Sequence, residues 1–304
     1  YNIAPLTAVI RNGGYVIEDA HVRVVPKKGG QEIAYDVNNA ELKTHAGIPV
    51  FGLYPDYANQ VEVSYTRIFQ GKKEQFKETY TIRTAPVYME MNGSVNTKSA
   101  FLDVDVKHVD KKYGDRLYLV NNLVPKPPKA SRAVWNNPTG GALEWSYGPQ
   151  NGIVDTKGEV RWYLLPNLDM YDPESIYKSG IMMGFQQGAD GLLTWGYGQR
   201  YVKYDLMGRE VFNRRLPANY SDFSHALDRA QNGHYFIRAA SADLRRADNK
   251  RVHTVRDVIA EVDENGRAVD EFRLFDILDP YRDNVIKTLD QGAVCLNIDA
   301  SQAG

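Results

Sequence analysis

The chain has 304 residues, 43% of them hydrophobic and 25% charged, with a formal net charge of −1. That balance is ordinary for a globular protein of one or two domains, and it removes any global electrostatic case for a nucleic-acid partner or an anionic membrane surface. No apolar run approaches the roughly 20 residues of a transmembrane helix, so membrane insertion is not expected, and the one cysteine, Cys295, rules out an internal disulfide.

The chain opens "YNIAPLTAVI", with no Met and no charged segment leading into an apolar one. A signal peptide is therefore absent from this stretch or already removed. Residues 1–90 read as a small β-sandwich. "TAVIRNGGYVIEDAHVRVV" places two apolar runs around Asn12-Gly13-Gly14, which predicts a hairpin. "QVEVSYTRI" and "ETYTIRT" predict further short strands. The 20 tyrosines agree with abundant β structure. "AFLDVDVKHV" (100–109) alternates, with Leu102, Val104 and Val106 on one side, and predicts a half-buried strand. "VPKPPKASRAVWNNPTGGALEW" (124–145) predicts a long loop, since its prolines cannot join a ladder.

From residue 91 onward a repeat appears. "NGIVDTKGEVRWYLL", "YVKYDLMGREVFNRRL" and "VIAEVDENGRAVDEFRL" each set an apolar strand, then Asp-x-x-Gly, then a second strand. The acid bonds its own backbone and the glycine takes positive φ, which makes a tight hairpin. "DRLYLVNN", "LLTWGYG" after Asp190-Gly191 and "HYFIRAAS" after Asn232-Gly233 stand before these units. About four strands per unit, repeated, is the pattern of β-propeller blades. Three such units do not close a propeller, so residues 91–304 are expected to be the first blades of an incomplete one, within a longer polypeptide. "DPESIYKSG" (172–180) and "DPYRDNVIKTLDQG" (279–292) predict two short inserted helices, each with Asp at the cap, Pro after it and Gly at the end.

The six histidines are 21, 45, 108, 225, 234 and 253. No H-E-x-x-H, C-x-x-C, G-x-S-x-G or P-loop motif accompanies them, so neither a metal nor a bound cofactor is expected. His21, His45, His108 and His234 sit within or beside strands and read as structural or surface groups. His225 differs. It follows "LPANYSD" and precedes a strand that would line the centre of a propeller, where an imidazole can donate to an anion or act near neutral pH. A loop histidine bonded to nearby backbone is the plainer alternative. "DLRRADNKRVHTVRD" (243–257) is rich in cations and can draw in an anionic substrate, or simply be solvated. His253 and Arg256 are its members next to the strand "DVIAEVD". Tyr197 and Tyr201, near an inner strand, are candidate contacts for an aromatic substrate.

Several stretches together resemble one family, the bacterial arylsulfate sulfotransferases. They are "ELKTHAGIPVFGLYPDYANQVEVSY", "DRLYLVN", "IVDTKGEVRWYL", "SHALD" with "NGHYFIR", "RRADNKRVHTVRDVIAEVDENGRAVD" and "ILDPYRDNVIKTLDQGAVCLNID". The resemblance implies a β-sandwich followed by a six-bladed propeller, export to the periplasm and a homodimer. It implies transfer of a sulfuryl group from an aryl sulfate donor to a phenolic acceptor, without a nucleotide, through a sulfohistidine in ping-pong order. Through the stretch "DFSHALD" it makes His225 a group that holds the sulfuryl, not the nucleophile. The family's nucleophilic histidine, a further histidine, an arginine and a cysteine pair fall beyond Gly304, so this stretch supplies one wall of such a site. A non-catalytic propeller that binds a ligand through its channel is the alternative. A quinoprotein-type dehydrogenase is disfavoured, because Trp135, Trp145, Trp162 and Trp195 follow no regular motif and no vicinal cysteines occur.

Overall fold

Alternating valines lay down the first core. Strands β2 (Val16–Val24) and β5 (Ala58–Phe69) pair antiparallel and turn Ala20, Val22, Val24, Val61 and Val63 to one face, all buried. Each such side chain removed from water contributes about 1.5–3 kcal/mol. With β3 (Ile33–Val37) and β6 (Lys72–Arg83) they form a four-stranded sheet in the order β3-β2-β5-β6. A second sheet joins β1 (Ala8–Arg11) to β4 (Gly47–Val50), and Ile48 and Val50 share the same core. The computed structural model describes residues 3–87, 104–125, 147–165, 183–197, 199–221, 227–241 and 258–277.

Three local expectations change. Asn12-Gly13-Gly14 does form a turn, with Gly13 and Gly14 at φ 62° and 87°. It is not a hairpin: β1 pairs with β4, while β2 pairs with β3 and β5. The glycines carry the chain from one sheet to the other. The "short" strands after residue 58 are one long hairpin of two 12-residue strands, closed at Gln70-Gly71 with φ 50° and 77°. Residues 104–109 form no strand, and Val104 and Val106 are exposed. They lie over the turn at Gly158, where a Cβ would sit 3.1 Å from the Val104 carbonyl oxygen, so packing there replaces ladder pairing. The longest described helix, α1 (Asn39–His45), went unanticipated. Asn38 caps it by accepting from the Glu41 backbone N–H at 2.9 Å, and Ala46 ends it in the left-handed region.

Beyond the sandwich the sheets are antiparallel meanders. β7 (Leu117–Pro125), β8 (Tyr147–Asp155) and β9 (Val160–Leu164) form one. β10 (Met183–Gln187), β11 (Leu193–Tyr197), β12 (Arg200–Tyr204) and β13 (Glu210–Arg215) form the second. The third holds β14 (Tyr220–Ser221), β15 (Leu227–Arg229), β16 (Tyr235–Ser241), β17 (Val258–Val262) and β18 (Ala268–Arg273). A four-residue helix, α2 (Leu274–Ile277), follows. The described residues are nearly all β, and these three sheets hold three, four and five strands.

The Asp-x-x-Gly turns do what their chemistry dictates. Asp155 Oδ1 accepts from Lys157 and Glu159 backbone N–H at 2.9 and 3.0 Å, and Asp263 Oδ1 accepts from Asn265 and Arg267 at 2.8 Å each. Gly158, Gly208 and Gly266 sit at φ 83°, 83° and 85°. The two inserted helices and most of the 124–145 loop lie outside the described residues.

The chain divides into two compact units. One comprises 1–122, 150–166 and 206–209, the other 123–149, 167–205 and 210–304. In the first unit the β8–β9 hairpin is tied to the sandwich by a buried arginine, which also pairs with an aspartate of the hairpin itself. Arg161, 0% exposed, donates to Asp155 Oδ2 at 2.9 Å, to the Gly52 carbonyl from two nitrogens and to the Gln31 carbonyl. Its guanidinium lies 3.8 Å from the centre of the Tyr54 ring.

Candidate functional site

The second and third meanders pack face to face within one unit. Alternate residues of β16 (Tyr235, Ile237, Ala239) and β17 (Val258, Ala260, Val262) turn inward and meet Tyr201, Phe212, Leu216 and Leu227. Tyr201, Phe212 and Tyr235 form a triangle of rings with centroids 5.6, 5.8 and 5.9 Å apart. Tyr201 is 0% exposed, and burial raises its phenol pKa while the nearby Arg214 cation opposes that rise. Tyr197 is 3% exposed, and its hydroxyl accepts from Asn213 Nδ2 at 2.8 Å. Both tyrosines are buried in this structure.

A polar layer runs through the same interface beside the first strands of the two sheets. Asp190, in the β10–β11 turn, lies 2.6 Å from Arg229 Nη1 on β15 and 2.9 Å from Lys203 Nζ on β12. It also accepts from the Leu192 backbone N–H at 3.2 Å. Burial pushes its carboxyl up, but the hydrogen bonds from Arg229 and Lys203 outweigh that and hold it at about 2. One residue row away, Gln186 Nε2 donates to the backbone carbonyl of Leu227. Sequence reasoning identified Asp190-Gly191 only as a turn. The charges at 203 and 229 fall on inward positions of strands, which was the available signal.

Strands β14 and β15 both pair with β16. Ser221 stands opposite Ala240, and Leu227 opposite Ile237. Residues 222–226, which include His225, join them and lie outside the described residues, as do His253 and Arg256. On the near side of this segment Tyr220 donates to Glu271 at 2.6 Å, and Arg273 holds the same carboxylate at 2.6 Å. On the far side stand Leu227 and Arg229 with the bonds given above. The flanks of His225 are therefore fixed from β18 on one side and from the neighbouring sheet on the other.

The other described histidines have structural surroundings. His21 Nδ1 lies 2.7 Å from Asp36 on the exposed face of the first sheet, and His45 is buried in the last turn of α1. His108 is exposed. His234 Nδ1 lies 2.6 Å from Glu261, whose carboxyl this contact lowers. Among the described residues no three His, Cys, Asp or Glu side chains converge as a metal site would need.

Comparison with known proteins decides the family. The arylsulfotransferase (ASST) family profile matches residues 59–302, and the arylsulfotransferase Ig-like domain profile matches residues 1–85. The chain belongs to the arylsulfotransferase family. It is 37% identical to the arylsulfate sulfotransferase AssT of Lelliottia amnigena, an alignment covering 100% of this chain and 52% of that protein. It is 36% identical to the protein of the same name from Escherichia coli O6:H1 (strain CFT073), with the same coverage. The chain thus spans about half the length of the curated arylsulfotransferase relatives it matches. The three antiparallel meanders all lie within the stretch matched to the larger profile.

Proposed function

We propose that the polypeptide carrying this sequence is an aryl sulfotransferase: it moves a sulfuryl group from a phenolic sulfate ester to a phenol, with His225 among the groups that hold the sulfuryl. The observation that carries this reading is the family match, which runs along most of the chain and is accompanied by whole-chain similarity to two proteins named arylsulfate sulfotransferases.

The chemistry proceeds in two displacements. An imidazole nitrogen attacks sulfur, the S–O bond to the donor ring breaks, and the phenolate leaves with the bonding pair. A second phenol, losing its proton, then attacks the sulfohistidine and releases the imidazole. In this reading the nucleophile is a histidine other than His225. His225 donates a hydrogen bond to a sulfuryl oxygen, and His253 and Arg256 are candidate cations near the same charge, where fixed donors are worth most. Tyr197 and Tyr201 are candidate contacts for the aromatic ring of the substrate. The wider arrangement we propose is a small sandwich (1–90) followed by blades of a six-bladed propeller, in an exported, periplasmic homodimer.

The test is transfer from 4-nitrophenyl sulfate to phenol with no nucleotide added, by the polypeptide carrying this sequence. Phenol-dependent release of 4-nitrophenol with formation of phenyl sulfate supports the reading. Saturable binding of the ester with no release supports a non-catalytic propeller instead.

A further inference from the structure

Asparagine is thermolabile, and most so when glycine follows it. The glycine nitrogen attacks the asparagine Cγ, the Cγ–Nδ2 bond breaks, and ammonia leaves. Water then opens the succinimide to aspartate or to isoaspartate, which carries an extra methylene in the main chain. Among the described residues this step occurs at Asn12-Gly13, Asn151-Gly152, Asn232-Gly233 and Asn265-Gly266. Three of them are guarded. Asn151 is buried within β8. Gly233 N–H donates to the Ala230 carbonyl at 3.1 Å, and Gly266 N–H to the Asp263 carbonyl at 3.0 Å, so each nucleophile is held in its hairpin turn. The departing nitrogen of Asn232 is also bonded, to Glu261 at 3.3 Å. Asn12-Gly13 differs. Gly13 is exposed, and neither its N–H nor Asn12 Nδ2 has a hydrogen-bond partner among the described residues. Asn12 Oδ1 accepts from the Gly14 N–H at 3.1 Å, which draws electrons from Cγ. Asn232 Oδ1 makes the matching bond to the His234 N–H at 3.0 Å, so the free nucleophile is what separates the two turns.

We propose that Asn12 is a site of spontaneous deamidation, converting to isoaspartate ahead of the other three described Asn-Gly steps. The change has a structural consequence. The Asn12 backbone N–H donates to the Ala46 carbonyl at 3.3 Å, and its carbonyl accepts from the Tyr15 N–H at 3.0 Å. These two bonds set the crossing from β1 to β2. An extra methylene between that nitrogen and that carbonyl moves one bond against the other. Tyr15 moves with it, and its ring lies 5.6 Å from Phe69 and 4.8 Å from the Arg67 guanidinium near the tip of the β5–β6 hairpin. Isoaspartate at this position therefore loosens that end of the sandwich.

The test is ageing of the intact polypeptide carrying this sequence at mildly alkaline pH, folded and in denaturant. Conversion at each asparagine is followed by mass spectrometry of its peptides, and isoaspartate is counted by enzymatic methylation. In the folded protein Asn12 converts about fivefold or more faster than Asn232 and Asn265, each of which must first give up a hydrogen bond. Asn151 is slower still. In denaturant the four rates converge, because glycine follows each asparagine. Folded-state conversion at Asn232 or Asn265 as fast as at Asn12 overturns the proposal, and so does the same ranking with the same ratios in denaturant. The Asn12→Ser variant keeps an acceptor for the Gly14 N–H and has no amide to lose. Aged wild type develops a fraction that unfolds at lower denaturant concentration, and equally aged Asn12→Ser does not. A purified isoaspartate fraction that unfolds where fresh protein does overturns the structural consequence.

Discussion

At the scale of single residues, charge placement is the informative feature. Asp190 titrates at about 2 instead of its usual 3.8, so it stabilises the fold above the ordinary carboxylate range and loses that contribution as pH falls through about 2. Asp190→Asn should therefore be less stable than wild type at neutral pH, with the gap closing between about pH 4 and about pH 2. Thermal unfolding of both proteins across that range checks it. Arg161 poses the opposite case, a cation with no exposure that keeps four hydrogen bonds to three protein groups. Arg161→Leu strands Asp155 in the interior and should cost about 3–5 kcal/mol in denaturant unfolding. Neither role was legible in the sequence. Asp155 and Asp190 read as turn residues, which they are, but a turn motif is silent on which distant cation the second carboxylate oxygen will meet. His225 was legible only through its neighbours in sequence and the family resemblance.

At the scale of elements, the turns were the most legible feature, because their chemistry is local. Asp-x-x-Gly needs only its own backbone and a positive φ, and each instance closes a hairpin. Gly266 has a second constraint. An added Cβ would lie 3.1 Å from Arg214 Cδ and 3.2 Å from the Tyr201 hydroxyl. Gly266→Ala should cost about 1–2 kcal/mol, more than alanine at a merely left-handed position open to solvent such as Gly191. Paired denaturant titrations of the two variants decide it. Strand partners were less legible than strands. The Asn12-Gly13-Gly14 turn looked like a hairpin because adjacent runs pair most often, but the choice between β4 and β2 as partner for β1 is made by the shared core of Leu6, Ile48 and Val50. The run at 104–109 alternates like a strand, yet docks over a turn, and periodicity alone cannot tell those apart.

At the scale of the whole molecule, the covalent order and the packing order differ. The β8–β9 hairpin lies far along the chain from the sandwich, yet Arg161, the Leu165 N–H bond to the Ile3 carbonyl at 2.8 Å and the Trp162 indole bond to the Leu206 carbonyl at 2.7 Å place it in the first compact unit. Residues 1–90 made alone should accordingly unfold at a lower denaturant concentration than the same residues in the intact chain, with Arg161→Leu in the intact chain moving the sandwich transition part of the way. The all-β class was legible because each hairpin announces itself. The packing of a late hairpin onto an early sandwich was not, since it depends on carbonyls at Gln31 and Gly52 that carry no sequence signal. The central claim concerns sulfuryl transfer, and one measurement addresses it. The polypeptide carrying this sequence, and its His225→Ala variant, are given 4-nitrophenyl sulfate and phenol without nucleotide, and 4-nitrophenol and phenyl sulfate are followed together. The prediction is phenol-dependent turnover that falls about a hundredfold or more in a folded His225→Ala protein; turnover near that of the wild type in the variant, or none in either protein, would contradict it.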